Sequence, residues 1–147
     1  MAKKFNFKLD TVLRLRSDKT EEAKTELQLI IRKRIEKEKL IEEEISKLAL
    51  HNKTRDEHKK LEEIQAFYYH KDYINQEIKK LNMELDNLLD IESLKRMKYN
   101  EALKEEKVLQ KLKDKKKSEF IAEIERKEQL ELDEIAIRQY TNKMSNV

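Results

Sequence analysis

The chain has 147 residues, of which 44% are charged, and it contains no Gly, no Pro and no Cys. Average domains are roughly one-quarter charged, and the turns and bulges of sheet-rich folds lean on Gly and Pro for their backbone angles. A sheet-rich fold is therefore excluded, and long exposed helices are expected. The 34 basic and 31 acidic side chains are interleaved and leave a net charge of +3. No concentrated basic face is present, so no specific nucleic acid is expected as a partner.

The same composition removes several chemistries. Without Cys there are no disulfides or thiolate metal sites. Without Gly there is neither a phosphate-cradling loop nor a nucleophile elbow, so the chain is not expected to be an enzyme, to take a small-molecule substrate or to carry a cofactor. No stretch approaches the ~18 consecutive apolar residues of a membrane span, and the N-terminus is not followed by a secretory apolar region. A cytoplasmic protein is expected.

The first segment opens at Phe5, Phe7 and Leu9 with alternation, then becomes helical in period through Val12, Leu13 and Leu15. Asp10 is a candidate N-cap, and helix 1 is expected over about 9–51. Ala23, Leu27, Ile30, Ile31, Ile35, Ile41, Ile45 and Leu48 recur after three or four positions, with an interruption at the charged run 32–39. This reads as a coiled-coil seam with a defect.

Between His51 and Lys60 there is no aliphatic residue. A turn is expected within 51–60, with Asn52 able to close a helix in the left-handed conformation. Thr54-Arg55-Asp56-Glu57 has the spacing of a capping box that could open the next helix.

Helix 2 is expected over about 60–140. Ile74, Ile78, Leu81, Leu85 and Leu88 step four, three, four, three, and Ala102, Leu109, Leu112, Phe120, Ile124, Ile135 and Tyr140 continue the stripe less strictly. At 1.5 Å per residue the second helix would overhang the first. Neither can bury its stripe alone, so the reading is all-α: one coiled-coil domain over 1–147, folded as a long antiparallel two-helix hairpin with the second helix longer. The rival architecture is an uninterrupted helix that forms a homodimeric rod or spacer.

His51, His58 and His70 are scattered and read as solvated surface histidines. Dense carboxylates such as Glu42-Glu43-Glu44 have no pocket to shift their pKa values in a two-helix rod. The 111–117 run, Lys-Leu-Lys-Asp-Lys-Lys-Lys, is the densest basic stretch and reads first as a solvated face, with an acidic partner surface or anionic lipid as the alternative. Phe67, Tyr68, Tyr69 and Tyr73 cannot all enter one narrow seam, because successive residues point in different directions around a helix. At least one is therefore expected to be exposed; Tyr69 and Tyr73 are candidate interface anchors, the alternative being aromatics that plug the hairpin's broad apex.

Several segments together resemble the FliJ family of the flagellar type III export apparatus. Phe5-x-Phe7-Lys8-Leu9, then Val12-Leu13-x-Leu15-Arg16 and Glu22-Ala23, resemble the family's N-terminus. Tyr73-Ile74-x-x-x-Ile78-x-x-Leu81 resembles its mid-chain segment, and Leu132-Asp133-Glu134-Ile135-Ala136 with Arg138 its C-terminal acidic motif. The resemblance implies an antiparallel coiled coil similar to the central stalk of rotary ATPases, set in or against the ring of the flagellar export ATPase. It implies further contacts with the membrane export-gate protein and with export chaperones, and a place at the inner face of the cell membrane held through those partners. Tyr73 matches the aromatic of the gate-binding surface, whereas Glu77, Lys80 and Glu84 depart from it; Tyr69 joins Tyr73 on the argument from exposed aromatics. The rod ends, Arg14, Arg16, Asp133, Glu134 and Arg138, are the expected ATPase contacts, and the isolated chain is expected to be a monomer.

Overall fold

Once nucleated, a helix in this chain meets no residue that removes a backbone donor or loosens φ. A computed structural model describes residues 3–146. It contains helix α1 (Asp10–Lys53, 44 residues), a single 3-10 turn (Arg55–Glu57) and helix α2 (Leu61–Ser145, 85 residues). No strand occurs among the described residues, and the fold is an all-α helical hairpin with the longer helix second.

The break between the helices rules out the uninterrupted single helix, and its chemistry differs from the expected capping box. Thr54 donates its hydroxyl back to the carbonyl of His51 at 2.7 Å, and its N–H reaches the same carbonyl at 3.1 Å. The hydroxyl thus closes α1 instead of opening α2. Nor does Asn52 take a left-handed conformation, since no described residue has positive φ. Instead α1 tightens into the 3-10 turn, His58 becomes extended at φ −95° and ψ 117°, and α2 restarts with the N–H of Ile64 on the carbonyl of Lys60. At the other end Leu9, not Asp10, holds the cap position: its carbonyl accepts the N–H of Leu13 at 2.9 Å. Asp10 is the first helical residue, where a carboxylate favours the positive end of the helix dipole.

The described chain divides into two compact units, one of Lys19–Ala102 and the other of the residues up to Asp18 with those from Leu103 onward. In the first unit the buried and half-buried face of α1 runs through Thr20, Ala23, Leu27, Ile30, Arg34, Lys37, Ile41, Glu44, Leu48 and His51. The steps alternate three and four without a break. Facing it, α2 presents Phe67, Lys71, Ile74, Ile78, Leu81, Leu85, Leu88, Glu92, Lys95, Tyr99 and Ala102 in the same period.

The seam therefore has no defect at 32–39; it passes through charged residues. Arg34 donates Nε to Glu92 Oε1 at 3.1 Å and Nη1 to Glu38 at 2.9 Å, and Lys37 donates to Glu84 at 2.6 Å. Lys95 and Lys98 both donate to Glu26, at 3.0 and 3.2 Å. Long Arg and Lys stems fill seam volume while their charged heads reach the margin. Ile35 and Ile45, assigned to the seam by hydrophobicity alone, are instead 45% and 51% exposed. Partners fall along α2 as they rise along α1, so the helices of this unit are antiparallel.

In the second unit Phe7, Leu13 and Leu109 are buried. The pairing is again antiparallel: Arg16 Nη1 donates to the carbonyl of Glu105 at 3.2 Å, Lys113 to Asp10 at 3.0 Å, and the rings of Phe5 and Phe120 lie 5.6 Å apart. From residue 125 to its end at Ser145 every side chain of α2 is exposed.

Two predictions separate seam from surface. Ile74→Ala, at a position 2% exposed, lowers unfolding free energy in urea by about 2–5 kcal/mol. Ile35→Ala and Ile45→Ala cost less than about 1 kcal/mol. Hydrogen bonds from Lys95 and Lys98 hold the Glu26 carboxyl below its ordinary value, and one from Lys37 does the same for Glu84. A depressed carboxyl contributes stability that is complete above its unfolded pKa of about 4.3 and is lost as pH falls through the folded one. Thermal melting is thus expected to be flat from pH 7 to about 5 and to fall below about 4.3, with Glu26→Gln/Glu84→Gln lowering Tm at pH 7 more than at pH 3.

Candidate functional site: exposed surfaces of the hairpin

Few side chains are buried between the helices, so function has to be sought on exposed faces, and each unit offers one distinctive surface. Beside the turn, Phe67 is 4% exposed and gathers the histidines. His51 stacks on it with ring centroids 4.2 Å apart, and His58 lies at 5.6 Å. His51 Nε2 is 2.8 Å from the carbonyl of Phe67; a carbonyl only accepts, so this nitrogen carries the proton. His70 meets His51 edge-on at 4.7 Å and stacks loosely on Tyr73 at 6.5 Å.

His51 is thus a seam residue, three positions after Leu48, and not a solvated surface group. The unbroken three-four count along α1 was the signal for it. Among the described residues no group of three or more His, Asp or Glu is arranged to hold a metal ion.

With Phe67 turned inward, its neighbours turn outward. Tyr68 is 43% exposed, Tyr73 59% and Tyr69 75%. Tyr69 and Tyr73 are four residues apart and share a face of α2. The structure thus places both candidate anchors side by side and accessible. Glu77, one turn further, is half-buried, and Glu84 is engaged by Lys37.

In the other unit the expected ATPase-contact residues form two groups. Arg14 is exposed, while Arg16 is half-buried and reaches the backbone of Glu105. Asp133, Glu134 and Arg138 are exposed, with Asp133 accepting from the amide of Gln129 at 3.0 Å. Asp133 sits roughly 40 Å further along α2 than Glu105, so the structure does not bring the two groups together.

Sequence reasoning missed an open hollow of about 880 Å³ between the N-terminal segment and α2. It is lined by Phe5, Phe7, Leu112 and Phe120 together with Lys4, Lys8 and Lys116. No helix among the described residues is long and apolar enough to cross a membrane.

These features define an all-α helical hairpin with exposed coiled-coil faces. The chain belongs to the flagellar FliJ protein family, which matches residues 5–145, nearly its whole length. That family is a component of flagellar protein export and not a known enzyme family. No curated protein and no solved structure matches the chain.

Phe67→Ala is expected to destabilise the hairpin by about 3–5 kcal/mol, as loss of a buried aromatic does. Tyr69→Ala and Tyr73→Ala shift stability by no more than about 0.5 kcal/mol, so any loss of partner binding they cause can be read at full fold in parallel circular-dichroism melts.

Proposed function

We propose that this chain is a non-enzymatic, stalk-like regulator of the flagellar export ATPase that works as a single copy against the ATPase ring. The observation that carries this reading is the distribution of exposed apolar residues on distal α2. Leu130, Leu132, Ile135, Ile137, Tyr140 and Met144 are each 49–65% exposed. Successive helical residues are separated by about 100°, so these six spread over well more than half of the circumference. A neighbouring helix can cover only one stripe. A partner that surrounds the helix, as a ring does, can meet them all.

Family membership supports the choice of ring. The charges interleaved with these residues support a contact that can be exchanged. Glu131, Asp133, Glu134, Arg138 and Lys143 are solvent-exposed, and ion pairs at such positions contribute about 0–1 kcal/mol each. Many weak contacts allow movement in a ring where a deep hydrophobic lock would arrest it. Arg14 and Arg16 add a basic contact nearer the hairpin's N-terminal end.

The exposed Tyr69 and Tyr73 support a separate contact, with the membrane export-gate protein and with export chaperones. Such a contact holds the protein in the cytoplasm at the inner face of the membrane without a membrane span. Against the rival homodimeric rod stand the intrachain pairs of Arg34 with Glu92 and Lys37 with Glu84, which satisfy seam charges within one copy.

The test is ATP hydrolysis by the cognate export ATPase with and without the purified chain. Stimulation is expected, and Asp133→Lys/Glu134→Lys should reduce it several-fold while leaving the melting curve in place, since both residues are exposed. An ATPase whose rate is unchanged by the chain at saturating concentration would rule the stalk reading out.

A further inference from the structure

Along α2, overlapping the stretch that lines the hollow, Lys117, Ile121, Ile124 and Glu128 follow one another at steps of four, three and four and form one stripe. Lys117, Ile121 and Glu128 are exposed and Ile124 is half-buried. Neither Lys117 nor Glu128 has an ion-pair partner among the described residues, although their neighbours Lys116 and Arg126 pair locally with Glu119 and Glu123. In one direction the stripe reads cation, apolar, apolar, anion. In the opposite direction each charge is replaced by its complement.

The surrounding charge has the same symmetry. The seven residues 111–117 hold five lysines and one aspartate, a net +4, while 128–134 hold three glutamates and one aspartate, a net −4. Both runs are equally far from the point between Ala122 and Glu123, which is also the midpoint of the stripe.

We propose that this stripe binds a second copy of the same chain, antiparallel, about a two-fold axis between residues 122 and 123. Lys117 of each copy then meets Glu128 of the other, Ile121 meets Ile124, and each basic run lies along the other copy's acidic run. One kind of like-charge contact results, Asp114 with Glu131, twice in the dimer, and Lys111 and Lys115 lie beside each Asp114. Self-complementarity is what an isologous interface requires, and an unrelated partner would have no need of it. A parallel arrangement would set lysine on lysine and is excluded by charge.

The contact is short, two or three turns of helix, and belongs with the small, transient interfaces. It is therefore expected to populate at upper-micromolar concentrations and to weaken with salt. The pairing stands independently of the stalk reading. If both hold, the second copy covers part of the distal helix and competes with the ring for it.

Sedimentation equilibrium of the full chain, from about 10 µM to about 1 mM at low salt, tests the proposal. The apparent mass should rise from the chain mass of 17.9 kDa towards twice that value, and 0.5 M salt should reverse the rise. Lys117→Glu and Glu128→Lys alone should each weaken association about tenfold or more, since each places two like-charge pairs in the dimer. The double variant Lys117→Glu/Glu128→Lys exchanges the signs and should restore it. Both positions of charge reversal are exposed, and circular-dichroism melts verify that the three variants fold. A wild-type chain that stays at 17.9 kDa up to about 1 mM would overturn the proposal, and so would association that the single reversals leave intact or the double fails to restore.

Discussion

The fold depends on charged residues that sit inside a coiled-coil seam and find their partners across it. Aliphatic contacts would tolerate a slip of the two helices by one heptad, because Leu and Ile present similar surfaces seven residues apart. Arg34 does not tolerate it, since its Nε must reach Glu92, which is only 9% exposed. A buried carboxylate left without its cation is costly, whereas the same pair correctly met can be close to neutral in net stability. The contribution of Arg34 and Glu92 is therefore one of register. Lys37 with Glu84 and Glu26 with Lys95 and Lys98 repeat the constraint at intervals along Lys19–Ala102.

That arrangement also marks where the sequence could and could not be read. The α2 stripe from Ile74 to Leu88 was legible because every position is aliphatic, so hydrophobicity and geometry agree. In α1 they part: Arg34 and Lys37 occupy seam positions and Ile35 stands beside them facing water. A reading that follows apolar residues steps off the seam at that point, whereas one that follows the three-four count stays on it. The same count reaches His51, whose stacking on Phe67 no residue type announced. At the turn, residue types signalled a break, but the fate of the Thr54 hydroxyl was open, since Ser and Thr side chains bond backwards as readily as forwards. Of the candidate surfaces, helical angles required only that some of Phe67, Tyr68, Tyr69 and Tyr73 be exposed; that Phe67 is the one turned inward is set by the fold. The hollow beside Phe5 was invisible because it depends on how a non-helical segment lies across α2.

The abundant charge has a second use, which explains how a helix persists where nothing packs on it. From residue 125 onward α2 has no buried side chain. Its order there rests on strong helix formers and on contacts within one turn: Arg126 with Glu123, Gln129 with Asp133, and the Thr141 hydroxyl with the carbonyl of Ile137. Each such pair contributes only a few tenths of a kcal/mol. Because nucleation has already occurred in the paired part of α2, each added residue needs only the smaller free energy of propagation.

Seam pairs and local pairs thus leave the molecule with two kinds of charge that respond differently to a partner. Removing a seam charge changes how the helices align, and its effects travel with the fold. Removing an exposed local charge changes the surface and little else. A protein that must present a stiff helix to a moving or multivalent partner benefits from this separation, because its outer face can vary in sequence and contact without disturbing its register. The exposed apolar residues of distal α2 belong to the second kind. They surround the helix instead of forming a stripe, so they add nothing to a two-helix seam.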